Sequence, residues 1–139
     1  MQYFKISILI LSALALLYAS STRLLDPTNA VFLDTYFENP ANSLTTDSEL
    51  VNEIRGVGAV MLLGAIVALL GIRRADFRLT AFTVLTVIFG GVVLGRSISI
   101  VIDGMPNTNL LRAMSAEVVL ALLNIFCLIP ILSKDTQQA

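Results

Sequence analysis

Residues 49–72 read ELVNEIRGVGAVMLLGAIVALLGI. From Val57 to Ile72 no side chain is charged, while Glu49, Glu53 and Arg55 stand immediately ahead of that run. A helix on the surface of a soluble protein would return a polar face every turn. This stretch reads instead as a membrane span whose charged first turns lie at its mouth. Thr46-Asp47-Ser48-Glu49 fits a capping box and sets the expected helix start near Asp47.

The rest of the chain agrees with a membrane reading. Of 139 residues, 56% are hydrophobic and 14% charged, against roughly 25% charged in ordinary soluble domains. Mean hydropathy is +0.84. A soluble fold of this size would have too few charges to cover its surface, and the length suffices for a single domain. Four apolar runs are long enough to cross a bilayer, which takes about 20 residues. Expected spans are 4–25, 51–72, 78–102 and 111–132. The first, with Lys5 before it and Ala19-Ser20-Ser21 near its end, also resembles a signal peptide. Its full length from Phe4 to Leu25 favours a retained span.

The expected architecture is therefore an all-α membrane protein, four transmembrane helices in an up-down bundle. Residues 26–48 form the long polar connection. Within it, Asp26-Pro27 and the following TNAVFLDTYFEN suggest a short amphipathic helix, with Phe32, Leu33, Tyr36 and Phe37 suited to the interface. Arg73-Arg74-Ala75-Asp76 forms a basic turn in which Asp76 is placed to cap the third helix. Asp103-Gly104-Met105-Pro106-Asn107 is a turn by composition. Lys5, Arg73, Arg74, Arg78 and Lys134 fall on one side, and the acidic connection on the other. The positive-inside rule then places both termini in the cytoplasm of a plasma membrane.

Several function classes fall on composition. The chain has no histidine and one cysteine, Cys127, which removes the commonest general base and metal ligand and any internal disulfide. No metal and no cofactor is expected. Net charge is −1 without a basic patch, so nucleic acid is not an expected partner.

What remains is a set of charges in expensive places. Glu53 and Arg55 open the second span, Arg96 lies within the third, Asp103 closes it, and Glu117 enters the fourth. Chain direction brings all five toward one end of the bundle. Arg96, Ser99 and Asp103 share a helical stripe, with Arg96 about 10 Å below Asp103 at roughly 1.5 Å per residue. An arginine at membrane depth needs a carboxylate or backbone carbonyls. The expected partner of Arg96 is Glu117 or Glu53, and Glu53, Arg55, Arg96, Ser99, Asp103 and Glu117 are read as one cluster that either pins helix register and orientation or serves a ligand or proton. Gly91 and Gly95 make a GxxxG pattern, and Gly56 and Gly64 dot the second helix. Small residues of this kind let helices approach in lipid, within one chain or between two.

The motifs NEIRG at 52–56 and GRSISIVIDGMP at 95–106, with Glu117, resemble those of an uncharacterised bacterial family of small four-helix inner-membrane proteins. The resemblance implies the four-helix architecture over nearly the whole chain, and neither a cofactor nor a substrate. Two functions are weighed. One is a non-enzymatic accessory, scaffold or lipid- or apolar-ligand-binding protein, with Arg96 or Arg55 holding an anionic headgroup. The other is a membrane-embedded enzyme or proton-coupled carrier using Glu53, Glu117 and Asp103 as acid–base groups. Beyond the bilayer itself, a lipid or apolar ligand, a larger membrane complex and a homo-oligomer are the partners weighed.

Overall fold

The computed structural model describes residues 2–27 and 48–135. Four helices carry them: α1, Gln2–Leu25; α2, Ser48–Arg73; α3, Arg78–Asp103; and α4, Thr108–Asp135. They run 24 to 28 residues, or roughly 36–42 Å at 1.5 Å per residue, and the apolar core of a bilayer is about 30 Å thick. All four are long and apolar enough to cross a membrane. Their termini overrun the apolar runs by a few residues because polar residues continue each helix past the hydrocarbon. The short amphipathic helix expected after Pro27 lies outside the described residues, as do Thr46 and Asp47 of the capping box.

The bundle is apolar outside as well as inside. Leu14, Leu63, Val87, Leu94, Leu122 and Ile129 are all exposed. Water would not tolerate that surface at this density, whereas lipid chains are as apolar as leucine. The interior is built mainly from α1, α2 and α3. Leu9, Ala13, Leu16, Ala65, Ala68, Ala81, Phe82 and Leu85 are buried, and α4 adds Leu120, Ala121 and Cys127.

Glycines on α2 make that interior possible. A methyl group on Gly71 would stand 2.6 Å from Ala81 Cβ, and one on Gly58 would stand 2.9 Å from Arg23 Cβ. At Gly64 it would meet Ile88 at 2.5 Å and Leu16 at 3.1 Å. These three glycines seat α2 between α1 and α3. Gly56, Gly91 and Gly95 have nothing within 4 Å of such a methyl. Close approach within the bundle therefore uses Gly58, Gly64 and Gly71, and the GxxxG pattern of α3 has no part in it.

The turns show one correction. Asp76 does not cap α3. Ala75–Phe77 is a 3-10 turn, the N-cap of α3 is Phe77 with no side-chain cap, and Asp76 Oδ2 accepts instead from Arg74 Nη2 at 2.8 Å. The carboxylate is drawn first to the guanidinium two residues away, with a weaker attraction to the backbone N–H groups of Asp76 and Phe77. At the other end, Gly104 has φ 96° and ψ −175°, a conformation essentially restricted to glycine. It stops α3 at Asp103. Asn107 then caps α4, its Oδ1 accepting from Leu110 N at 2.9 Å.

Neighbouring helices pack in order, α1 on α2, α2 on α3 and α3 on α4, while α1 and α4 meet only sparingly. That loose α1/α4 seam positions everything that follows. The two ends of the bundle are named below after Arg23 and Arg73.

Candidate functional site: a charged pair beside an apolar cavity

The tight turn from Gly104 to Asn107 folds α4 back along α3. Arg96, seven residues before the end of α3, and Glu117, nine residues into α4, thus arrive at a common level. Arg96 Nη2 donates to Glu117 Oε1 at 3.0 Å, and Nε lies 2.9 Å from Oε2. The guanidinium meets the carboxylate two-on-two, the second contact being an ion pair without hydrogen-bond geometry. Their side chains are 15% and 16% exposed. Of the two partners read for Arg96 from sequence, the structure uses Glu117.

A third charge joins them from α1. Arg23, in the last turn of that helix, interacts electrostatically with both Arg96 and Glu117. Its Nη1 donates to Ala19 O at 2.9 Å, which turns the guanidinium back along its own helix. In the sequence Arg23 stands just after the first apolar run. Its signal, a lone arginine at the end of an apolar run, does not distinguish an anchor in the interface from a member of a cluster.

The remaining expected site residues lie elsewhere at this end. Ser99 Oγ donates to Asp103 Oδ2 at 2.7 Å, and both side chains are exposed on α3. Glu53 and Arg55 are exposed on α2. The six residues expected to share one site thus resolve into a half-buried Arg96–Glu117 pair, an exposed Ser99–Asp103 pair and two exposed residues of α2. A small pocket of about 70 Å³ adjoins Arg96 and Ser99, closed by Gly104, Pro106, Leu110 and Met114. Among the described residues, no three Asp, Glu or Cys side chains converge so as to hold a metal.

Glu117, and not Arg96, also borders a larger space, a cavity of about 240 Å³. Ala15, Leu16 and Ala19 of α1 face Ala113, Ala116 and Leu120 of α4 across it. Met61 of α2 and Ile88, Phe89 and Val92 of α3 form its back. Tyr18, Thr22, Arg23 and Glu117 supply its polar groups. The cause is local: alanines at helical spacing on both α1 and α4 leave space where larger side chains would fill the seam.

Toward the Arg73 end the same seam is closed. Asn124 Nδ2 donates to Ser12 Oγ at 3.0 Å and to Leu120 O at 2.8 Å, with both side chains fully buried. Phe4 and Phe126 meet edge-to-face with centroids 6.2 Å apart. An amide and a hydroxyl that find each other in hydrocarbon hold two helices together, so α1 and α4 are pinned at mid-length and part beyond it. At the Arg73 end, outside the spans, the Arg74 guanidinium holds its proton more firmly than usual because it donates to Asp76.

The chain matches, over residues 5–128, a family described as a domain of unknown function, DUF4345. It belongs to that family. The matched region takes in the Arg96–Glu117 pair, Arg23 and every wall of the cavity. The site is thus part of the DUF4345 domain and not of an appended segment. No curated protein and no solved structure matches the chain. What is established of this DUF4345 member is a multi-pass helical membrane protein, with a cavity and a charged pair at one end.

Proposed function

We propose that this DUF4345 member is a non-enzymatic protein of the bacterial inner membrane that binds a lipid or another apolar molecule. It would serve as an accessory or scaffold component. Lys5, Arg73, Arg74 and Arg78 gather at one end of the bundle. The positive-inside rule puts that end, with both termini, in the cytoplasm. The Arg23 end and the cavity then face the opposite leaflet.

One observation carries the reading: the bundle leaves a space of about 240 Å³ with mostly apolar walls and places its few polar groups around it. Ligand sites are mostly apolar concavities with a small number of placed polar groups. Arg55 lies exposed on α2 and does not line the cavity, and Arg96 is engaged by Glu117. Any headgroup is therefore received by the walls that Tyr18, Thr22, Arg23 and Glu117 supply. Acid–base chemistry shared by Glu53, Glu117 and Asp103 is less well supported. Glu53 and Asp103 are exposed, Asp103 is engaged by Ser99, and of the three only Glu117 lines the cavity.

Native mass spectrometry of protein released from lipid nanodiscs tests the proposal. The wild type is expected to retain an added mass that Ala19→Phe and Ala116→Phe, which fill the cavity from opposite walls, do not. A wild type released bare, or variants that keep the same mass, would overturn it.

A further inference from the structure

We infer that the cavity takes one hydrocarbon chain of a single-chain amphiphile, lying along the α1/α4 seam with its polar head toward Arg23 and Glu117. The inference rests on the ligand-binding reading above and narrows the ligand to a class. Volume argues first. A dry apolar cavity of about 150 Å³ accepts a single benzene, so the space here, about 240 Å³, suits one chain segment and not two chains side by side. Shape argues next. Along α1 the wall extends from Ala15 to Arg23, eight residues or about 12 Å at 1.5 Å per residue. That makes it a slot and not a sphere.

Polarity runs along the slot in one direction. Its deep end has Leu16, Phe89 and Leu120, its shallow end has Thr22 and Arg23, and Glu117 lies between them. An amphiphile shares that gradient, and an apolar solute without a head does not. Access is lateral. The seam that borders the bilayer is the one where α1 and α4 barely touch, and the Ser12–Asn124 bond gives it a floor. A chain therefore slides in from the leaflet and stops at mid-membrane. A two-chain phospholipid would have to leave its second chain outside.

The chain has no tryptophan, so one introduced indole reports alone. Phe89→Trp puts it on the cavity wall, where Phe89 is 4% exposed, and Val87→Trp puts it on the outward face of the same helix, where Val87 is 67% exposed. Both proteins are reconstituted in phosphatidylcholine vesicles. Traces of a dibrominated fatty acid, lysophosphatidylcholine or two-chain phosphatidylcholine are then added as quenchers. The single-chain probes are expected to quench Phe89→Trp several-fold more than Val87→Trp, saturably, and Ala116→Phe is expected to abolish the excess. Whether the fatty acid or the lysolipid does so identifies the head as carboxylate or phosphodiester, and either supports the inference. An equal excess from the two-chain probe would overturn the single-chain assignment while leaving lipid binding in the cavity intact. No excess from any probe would overturn both. Circular dichroism of each variant establishes that the comparison is made between folded proteins.

Discussion

Replacing Glu117 by leucine leaves the Arg96 guanidinium without the carboxylate it meets at 2.9 and 3.0 Å. The cost follows from depth and burial. Exposed ion pairs contribute about 0–1 kcal/mol, whereas removing one partner of a buried pair costs about 3–5 kcal/mol. At 15% and 16% exposure the pair sits toward the buried limit. Yet Arg96 lies only about 10 Å from the end of α3, counted at 1.5 Å per residue, and its long stem can carry the charge part of that way. Each single variant, Glu117→Leu and Arg96→Leu, is therefore expected to lose about 2–3 kcal/mol. The double variant places two leucines where lipid and neighbouring helices are already apolar, and it is expected to lose about 1 kcal/mol or less. The assay is unfolding of the four proteins in mixed micelles with increasing SDS, followed by far-UV circular dichroism. The cycle is expected to return a coupling of at least about 3 kcal/mol, the amount by which the two single losses together exceed that of the double variant. Additive losses in the double variant would show that the two side chains do not act on each other, and the cluster would dissolve as a unit.

Gly71→Ala brings a methyl to 2.6 Å from Ala81 Cβ, an atom with no rotamer to yield. It is expected to destabilise by about 1–3 kcal/mol, while Gly91→Ala, with open space around it, is expected to be neutral or to gain up to about 1 kcal/mol from helix propensity; the same SDS titration reads both. Ser12→Ala removes the acceptor that ties Asn124 to α1 and is expected to cost about 0.6 kcal/mol, the average for such bonds in lipid. Asn124→Leu also removes a buried amide oxygen that has no hydrogen-bond partner, and so is expected to unfold at no lower SDS than Ser12→Ala. Asn107→Ala takes away the cap on Leu110 N and is expected to lose about 1 kcal/mol, with faster amide exchange confined to the first turn of α4.

Four spans were legible from residues 4–132 because crossing hydrocarbon is a local requirement: each run must be long enough and apolar enough by itself. The Gly104 turn was legible for a similar reason, since only a few residue types accept that backbone. The Asp76 cap was misread because two local options competed for one carboxylate, and Arg74 took it. Arg96 was recognisable as a charge in need of a partner, and its two candidates could be named. Choosing Glu117 over Glu53 required the level at which α4 returns along α3.

By itself, then, the sequence determined a four-span helical membrane protein with charges near one end, no histidine and a single cysteine. Only the tertiary structure decided which small residues serve packing and which leave space. Gly58, Gly64 and Gly71 seat α2 between its neighbours, whereas Ala15, Ala19, Ala113 and Ala116 border a cavity. The physical reason is that a small side chain permits either outcome. Contact or void depends on how near the facing helix stands: α1 meets α2 at Gly58, Gly64 and Gly71, whereas a cavity lies between α1 and α4 from Ala15 to Arg23, beyond the Ser12–Asn124 bond.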